Sequence, residues 1–220
     1  MTDRPMLAVA HRAGNNLDAL REALDAGVDL VELDVHLFRG ALEVRHAHAI
    51  GRHLFWEQER LALNWRRSIV LPELADVLTV AGDDPRLMLD LKGPALAVAP
   101  QVAGLLRTTA PSAQVTVCTK QWRMLDSFTA DPHVRLVHSA SNRFQLSRLR
   151  RRIRANPGFG VSIRLQILTP EIAAELREAT GEVMVWPVDT PAALERARRL
   201  GATAVISKNL AMLKDLMASR

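Results

Sequence analysis

Eight short apolar runs, each followed by a segment of helical pattern, constrain this chain more than any other feature. The runs span residues 7–11, 30–35, 87–91, 115–119, 134–139, 160–163, 183–188 and 203–207. The helical segments span 17–26, 71–81, 95–108, 122–130, 143–154, 170–180, 190–200 and 209–219. Such alternation implies parallel strands joined by crossover helices, because a tight turn cannot join a parallel pair. Eight units suit a (β/α)8 TIM barrel, an α/β fold that gathers functional residues at the C-terminal ends of its strands. A doubly wound open sheet is the alternative architecture. Pro170 and Pro191 suit first-turn positions, and Gly181 and Gly201 suit helix stops. With 220 residues, 48% of them hydrophobic, and no low-complexity linker, the pattern predicts one domain over 1–220.

The second run, Val31-Glu32-Leu33-Asp34-Val35, places two carboxylates one residue apart in an otherwise aliphatic strand. Strand side chains alternate, so Glu32 and Asp34 share one face while Val31, Leu33 and Val35 share the other. Two carboxylates on a buried face must share a proton or surround a cation. We read them as oxygen ligands of a hard divalent metal.

Polar residues end other runs in the same way. His11 and Arg12 end the first, and Asp90 and Lys92 repeat the two-residue spacing at the end of the third. A turn at Arg39-Gly40 returns Val44-Arg45-His46-Ala47-His48 beside the second run, bringing two more histidines near it. Asp90 with Lys92 also fits a simple ion pair at a barrel rim, and a lone strand-end histidine is commonly structural. Placement at three strand ends favours a shared site. Three carboxylates without clustered cysteines suit magnesium or calcium. Arg12 and Lys92 would neutralise a bound phosphodiester, and two histidines would move protons between the attacking and leaving oxygens.

These residues resemble the glycerophosphodiester phosphodiesterase family. The likeness runs from Ala10-His11-Arg12 through Glu32-Leu33-Asp34-Val35 and Val44-Arg45-His46 to Asp90-Leu91-Lys92. Val185-Trp186-Pro187-Val188-Asp189 is similar to that family's Trp-Thr-Val-Asn segment, and the run from Gly201 to Ile206 to its last strand. The resemblance implies a TIM barrel with a magnesium or calcium ion on Glu32, Asp34 and Asp90. It also implies acid–base histidines at His11 and His46, and a substrate pocket that includes Trp186. Hydrolysis of glycerophosphodiesters to sn-glycerol 3-phosphate and an alcohol is the implied reaction.

The chain departs from the family pattern at four places. Ala13 follows Arg12 where glycine is usual, and Gly14-Asn15-Asn16 stands where Glu-Asn-Thr is usual. Ala47 follows His46 in place of aspartate, and Ser207-Lys208 replaces a closing Thr-Asp. Barrels of the sphingomyelinase D type also lack the Glu-Asn-Thr triplet and carry a lysine two residues beyond the last aspartate. The alternative reaction is therefore a phospholipase D-like lyase that forms a cyclic phosphate from lysophospholipids. More distant readings are a zinc amidohydrolase barrel built on His46 and His48, with His138 as the one further histidine, and a non-catalytic basic binding protein.

The net charge of +5 favours anionic ligands. The densest basic stretch, 148–154, has Leu146, Leu149 and Ile153 at helical spacing among its arginines, so it reads as a solvated helix face rather than a nucleic-acid site. Residues 52–67 carry Phe55, Trp56 and Trp65 among four arginines, a composition that suits contact with a lipid surface as well as packing onto the barrel. Cys118, the one cysteine, lies in an apolar run and reads as core. The N-terminal sequence lacks a basic region followed by a long apolar segment, so the expectation is a cytoplasmic enzyme with a small-molecule substrate.

Overall fold

The computed structural model describes residues 5–51, 53–57, 62–65, 70–155 and 160–220. From the N-terminus the chain forms β1 (Leu7–Ala10), α1 (Leu17–Asp25), β2 (Leu30–Phe38) and β3 (Ala41–Val44). Three short strands follow, β4 (His48–Ile50), β5 (Leu54–Glu57) and β6 (Ala62–Trp65), and then α2 (Leu74–Ala81), β7 (Leu87–Leu91) and α3 (Val98–Thr109). The second half comprises β8 (Val115–Thr119), β9 (Val134–Ala140), α4 (Arg143–Ala155), β10 (Gly160–Arg164) and α5 (Pro170–Thr180). It ends with β11 (Val183–Trp186), α6 (Pro191–Arg199), β12 (Ala204–Ser207) and α7 (Leu210–Ala218).

Strands β1, β2 and β7 to β12 are parallel and hydrogen-bonded in sequence order, and β1 bonds to both β2 and β12. The ring is closed: the fold is a (β/α)8 TIM barrel, and the open-sheet alternative is excluded. Alternation explains its two cores. Val9, Leu30, Met88, Cys118, Val137, Met184, Ala204 and Ile206 fill the interior. The opposite strand faces, including Val31, Leu33 and Val35, pack against the surrounding helices. Cys118 is thus a core residue, on the interior side of the wall.

Helix ends follow the expected chemistry. Thr169 and Thr190 accept the backbone N–H groups of Ile172 and Ala193, with Pro170 and Pro191 in the first turns. In α4, Leu146, Leu149 and Ile153 face inward, while Arg150 and Arg154 pair with Glu175 of α5. The basic stretch is therefore a helix face tied to its neighbour.

The expected helix over 122–130 is instead a 3-10 segment, Trp122–Phe128, with Met124, Leu125 and Phe128 buried. Between β2 and β7 the chain makes an excursion that the alternation did not foresee. Arg39 (φ 54°) and Gly40 (φ 89°) form a two-residue turn, and β3 runs back antiparallel with Val35 opposite Val44. Strands β4 to β6 form a small antiparallel sheet in which Phe55 is buried and Trp65 is 56% exposed. The four arginines of the 52–67 stretch, Arg52, Arg60, Arg66 and Arg67, lie outside the described residues. No helix among the described residues is long and apolar enough to cross a membrane.

Candidate active site

At the C-terminal ends of the barrel strands, a cavity of about 390 Å³ opens over the interior core. Its position follows from strand parity. Leu30 and Met88 point inward, so Glu32, Asp34, Asp90 and Lys92, spaced by two residues, rise above them on the same faces. The register sets Asp34 beside Asp90 on neighbouring strands. One carboxylate oxygen from each of Glu32, Asp34 and Asp90 lies within 4.8 Å of the other two.

The turn after β1 locks this group from one side. The backbone N–H of His11 donates to Ser207 O at 2.7 Å, continuing the β1–β12 ladder. Arg12 then takes a left-handed conformation (φ 59°, ψ 14°), which aims its own N–H at Glu32 Oε2, 2.7 Å away. A left-handed non-glycine residue carries a conformational cost, which the contact to Glu32 offsets. Gly14 lies so close to β2 that a Cβ there would meet Leu33 Cβ at 2.8 Å. That close approach lets the Asn15 amide clasp Asp34: Nδ2 donates to Oδ2 at 2.9 Å, and Oδ1 accepts the Asp34 backbone N–H at 2.8 Å.

Asp34 is the hub. Lys92 Nζ lies 2.9 Å from its Oδ1, while His46 Nδ1 lies 3.3 Å and Arg12 Nε 3.5 Å from its Oδ2. Lys92 also contacts Asp90. Burial alone would raise the Asp34 pKa, but the Lys92 ammonium and the His46 contact hold it well below the usual carboxylate range. Burial and the neighbouring Asp34 charge push Glu32 the other way. Asp90 is raised as well, chiefly by burial, which outweighs Lys92. Burial would lower the Lys92 pKa, but Asp90, Asp34 and Glu32 together raise it above its ordinary value. One ammonium therefore does not satisfy three carboxylates, and Asp90 Oδ1 has no hydrogen-bond partner among the described residues. An oxygen-only group with an unmatched buried oxygen fits a hard divalent cation, and these residues form a candidate site for one.

Both sequence-assigned histidines border the cavity. Burial, then the Arg12 charge, lowers the His11 pKa to about 4, and its Nδ1 has no hydrogen-bond partner among the described residues. His46 is carried on the segment after β3 and held by Arg45, whose backbone N–H donates to Asp34 O at 3.0 Å. The Arg45 guanidinium is buried, donates from Nε to Glu43 Oε2 at 2.9 Å, and reaches the Ala47 carbonyl on the far side of His46. It also lies 5.0 Å over the Phe55 ring, which ties this segment to the β4–β6 sheet. Burial lowers the Arg45 pKa to about 10. The side chain of His48 lies outside the described residues, so its relation to His46 is not part of this geometry.

His138 is not in the site. It follows inward-facing Val137 and therefore points outward, where its Nε2 accepts from Arg152 Nε at 3.3 Å and its ring stands edge-on to Trp122 at 6.4 Å. The zinc reading loses its further histidine by this parity. Burial, then Arg152, lowers the His138 pKa to about 4.

Arg12, Lys92 and Trp186 line the cavity, and so do residues the sequence reading missed. Lys120, Arg164 and Lys208 stand two residues beyond inward-facing Cys118, Ser162 and Ile206. The same two-residue spacing that exposed Asp90 and Lys92 would have found them. The roles of Asn15 and Arg45 had no such signal, because Asn15 acts through a contact between distant segments and Arg45 through contacts to Glu43 and Ala47 that strand parity does not describe.

No protein-family model matches the sequence, and no curated protein matches it. Solved structures do. A Silicibacter pomeroyi protein assigned as a glycerophosphoryl diester phosphodiesterase superposes with a TM-score of 0.79 at 17% identity, covering 99% of this chain and 94% of its own. The glycerophosphodiester phosphodiesterase of Thermotoga maritima gives 0.76 at 18% identity, covering 96% and 98%. An Oleispira antarctica phosphodiesterase, solved with the product sn-glycerol-3-phosphate, gives 0.72 at 15% identity, covering 96% of each chain. At these identities the likeness shows a shared barrel fold.

Proposed function

We propose that this chain is a phosphodiesterase that hydrolyses glycerophosphodiesters to sn-glycerol 3-phosphate and an alcohol. The observation that carries this reading is the gathering of three carboxylate oxygens within 4.8 Å of one another, with His11, His46, Arg12 and Lys92 around the same cavity. The Oleispira antarctica structure with sn-glycerol-3-phosphate, built on a similar barrel, supports a small phosphodiester as substrate.

Glu32, Asp34 and Asp90 hold a magnesium or calcium ion, which when bound supplies Lewis-acid charge to the phosphoryl oxygens. Arg12 and Lys92 bind the diester and stabilise the charge that builds on it as water attacks. The water oxygen forms a new bond to phosphorus while the bond to the alcohol oxygen breaks. One histidine takes the proton that water loses, and the other supplies the proton that the alkoxide needs. His11 suits the accepting role, since burial and Arg12 keep its imidazole neutral at pH 7. His46 is oriented by Asp34 at 3.3 Å for the other. Trp186 forms an apolar part of the substrate wall.

A second reading keeps the same residues but cyclises the substrate, with a substrate hydroxyl attacking in place of water. Gly14-Asn15-Asn16 in place of the usual triplet favours it. Phosphorus NMR of products from glycerophosphoglycerol, glycerophosphocholine and lysophospholipids, with and without magnesium, tests both. A metal-dependent monoester signal is expected. A cyclic phosphate signal would select the second reading, and no product from any diester would end both.

A further inference from the structure

The cavity has a second cationic wall that the diester chemistry leaves unused. Five cationic side chains line it, Arg12, Lys92, Lys120, Arg164 and Lys208, against the three carboxylates Glu32, Asp90 and Asp189, with Asp34 behind. A diester brings a single negative charge, and a divalent cation in the carboxylate group adds two positive ones. Positive charge therefore remains on the side away from that group.

Its placement is ordered. Leu91 pairs with Thr119, so Lys120 stands beside Lys92 one strand further round the ring. Arg164 pairs in register with Trp186, and Ser162 with Ser139, so two buried serines lie beneath the arginine. Lys120 Nζ lies 4.9 Å from the centre of the Trp186 ring. The only partner of the Arg164 guanidinium among the described residues is the neutral Gln166, at 3.2 Å. Among the described residues neither Lys120 nor Arg164 pairs with a carboxylate, whereas Arg150, Arg154 and Arg220 on the outer surface all do. Lys120 is exposed overall, yet its ammonium end sits against the tryptophan and faces Lys92. Desolvation, and then that like charge, lowers its pKa.

We propose that Lys120 and Arg164 form a subsite for a second anionic group, a carboxylate or phosphate on the alcohol side of the diester. This rests on the diesterase reading and names its substrate class. Trp186 by itself would suit a quaternary ammonium such as choline, since cations settle on an indole face. Here the Lys120 ammonium holds that face, so a cationic alcohol meets like charge. An anionic alcohol meets two donors and the Ser139 and Ser162 hydroxyls.

The test uses four diesters of glycerol 3-phosphate, made with choline, glycerol, glycerate and glycerol phosphate. The last two separate a carboxylate from a phosphate as the favoured anion. Turnover is measured on the magnesium-loaded protein, and binding by titration calorimetry on the same protein carrying His11→Ala. At least one anionic diester should exceed the choline diester by about tenfold or more in both kcat/KM and affinity, the size of one charge-assisted hydrogen bond. Lys120→Gln and Arg164→Gln should each reduce that ratio by about threefold or more and weaken its dependence on salt. A choline diester that binds as well as both anionic ones, or a ratio unmoved in both variants, overturns the subsite. If no diester turns over but the anionic preference in binding persists and depends on Lys120 and Arg164, the subsite stands and the diesterase reading falls. Turnover of all four without charge preference gives the reverse.

Discussion

The two halves of the barrel mouth are built on opposite principles. On the β1–β2–β7 side, Asp34 alone meets Asn15, Lys92, His46 and Arg12, and Glu32 accepts the Arg12 backbone N–H. On the β8–β10–β11 side, Lys120 and Arg164 are exposed and lack carboxylate partners among the described residues. A cross-braced half fixes geometry before a ligand arrives, as stabilisation of developing charge requires. The less constrained half meets the ligand through exposed cations and tolerates substitution. Mutations in the first half should therefore damage turnover, and those in the second should shift selectivity.

The largest expected effect lies at the carboxylates. Glu32→Gln or Asp90→Asn should lower turnover by about a thousandfold or more, the several kcal/mol that a lost metal-held charge represents. Chelation of the wild-type protein should do the same and reverse on adding magnesium. Full activity in chelator would remove the metal from the first half and end the contrast.

Next come the histidines. His11→Ala and His46→Ala should each lose about a hundredfold or more in kcat, within the range for general acid–base groups. His48→Ala should lose much less, and the pH–rate profile should be bell-shaped with one limb altered in each damaging variant. A dead His48→Ala with an active His46→Ala would move the acid–base role two residues along the chain.

Arg45 tests whether bracing extends beyond the charged cluster. Arg45→Met should lower kcat by roughly tenfold with little change in KM, because His46 loses the clamp on Ala47 and small misplacements are costly. It should also destabilise the fold by about 3 kcal/mol, since the buried Glu43 carboxylate loses the Arg45 guanidinium. Adding Glu43→Gln should recover stability but not kcat. Recovery of both would make Arg45 a fold residue only.

The smallest effect concerns His138, which lies outside both halves. Its folded pKa of about 4 is below the ordinary 6.5, so the unfolded chain binds the proton first as pH falls. Its contribution to stability is thus complete above about pH 6.5, is lost between there and pH 4, and amounts to about 3 kcal/mol at most. Chemical denaturation across that range should show a smaller loss in His138→Phe than in the wild type, the remainder falling to groups such as His11 whose pKa is lowered in the same way. Equal acid loss in the variant would assign it to other groups.

Much of this architecture was legible because it is local. A period of two along each strand told that Glu32 and Asp34 share a face, and that Asp90 and Lys92 follow the same rule on β7. Eight repeats of strand and helix gave the ring, and Pro170, Thr169, Pro191 and Thr190 marked helix starts. Parity would also have turned Lys120 and Arg164 inward and His138 outward, had it been carried through every strand. What sequence periodicity could not supply were distances between segments far apart in the chain. The seat of Arg45 over Phe55, the clasp of Asn15 on Asp34 and the place of Lys92 between two carboxylates depend on how the turn after β1 and the β3 hairpin pack onto β2 and β7. Strand parity says which face a side chain occupies, whereas closure of the barrel and packing of the excursion decide which other side chain it meets there.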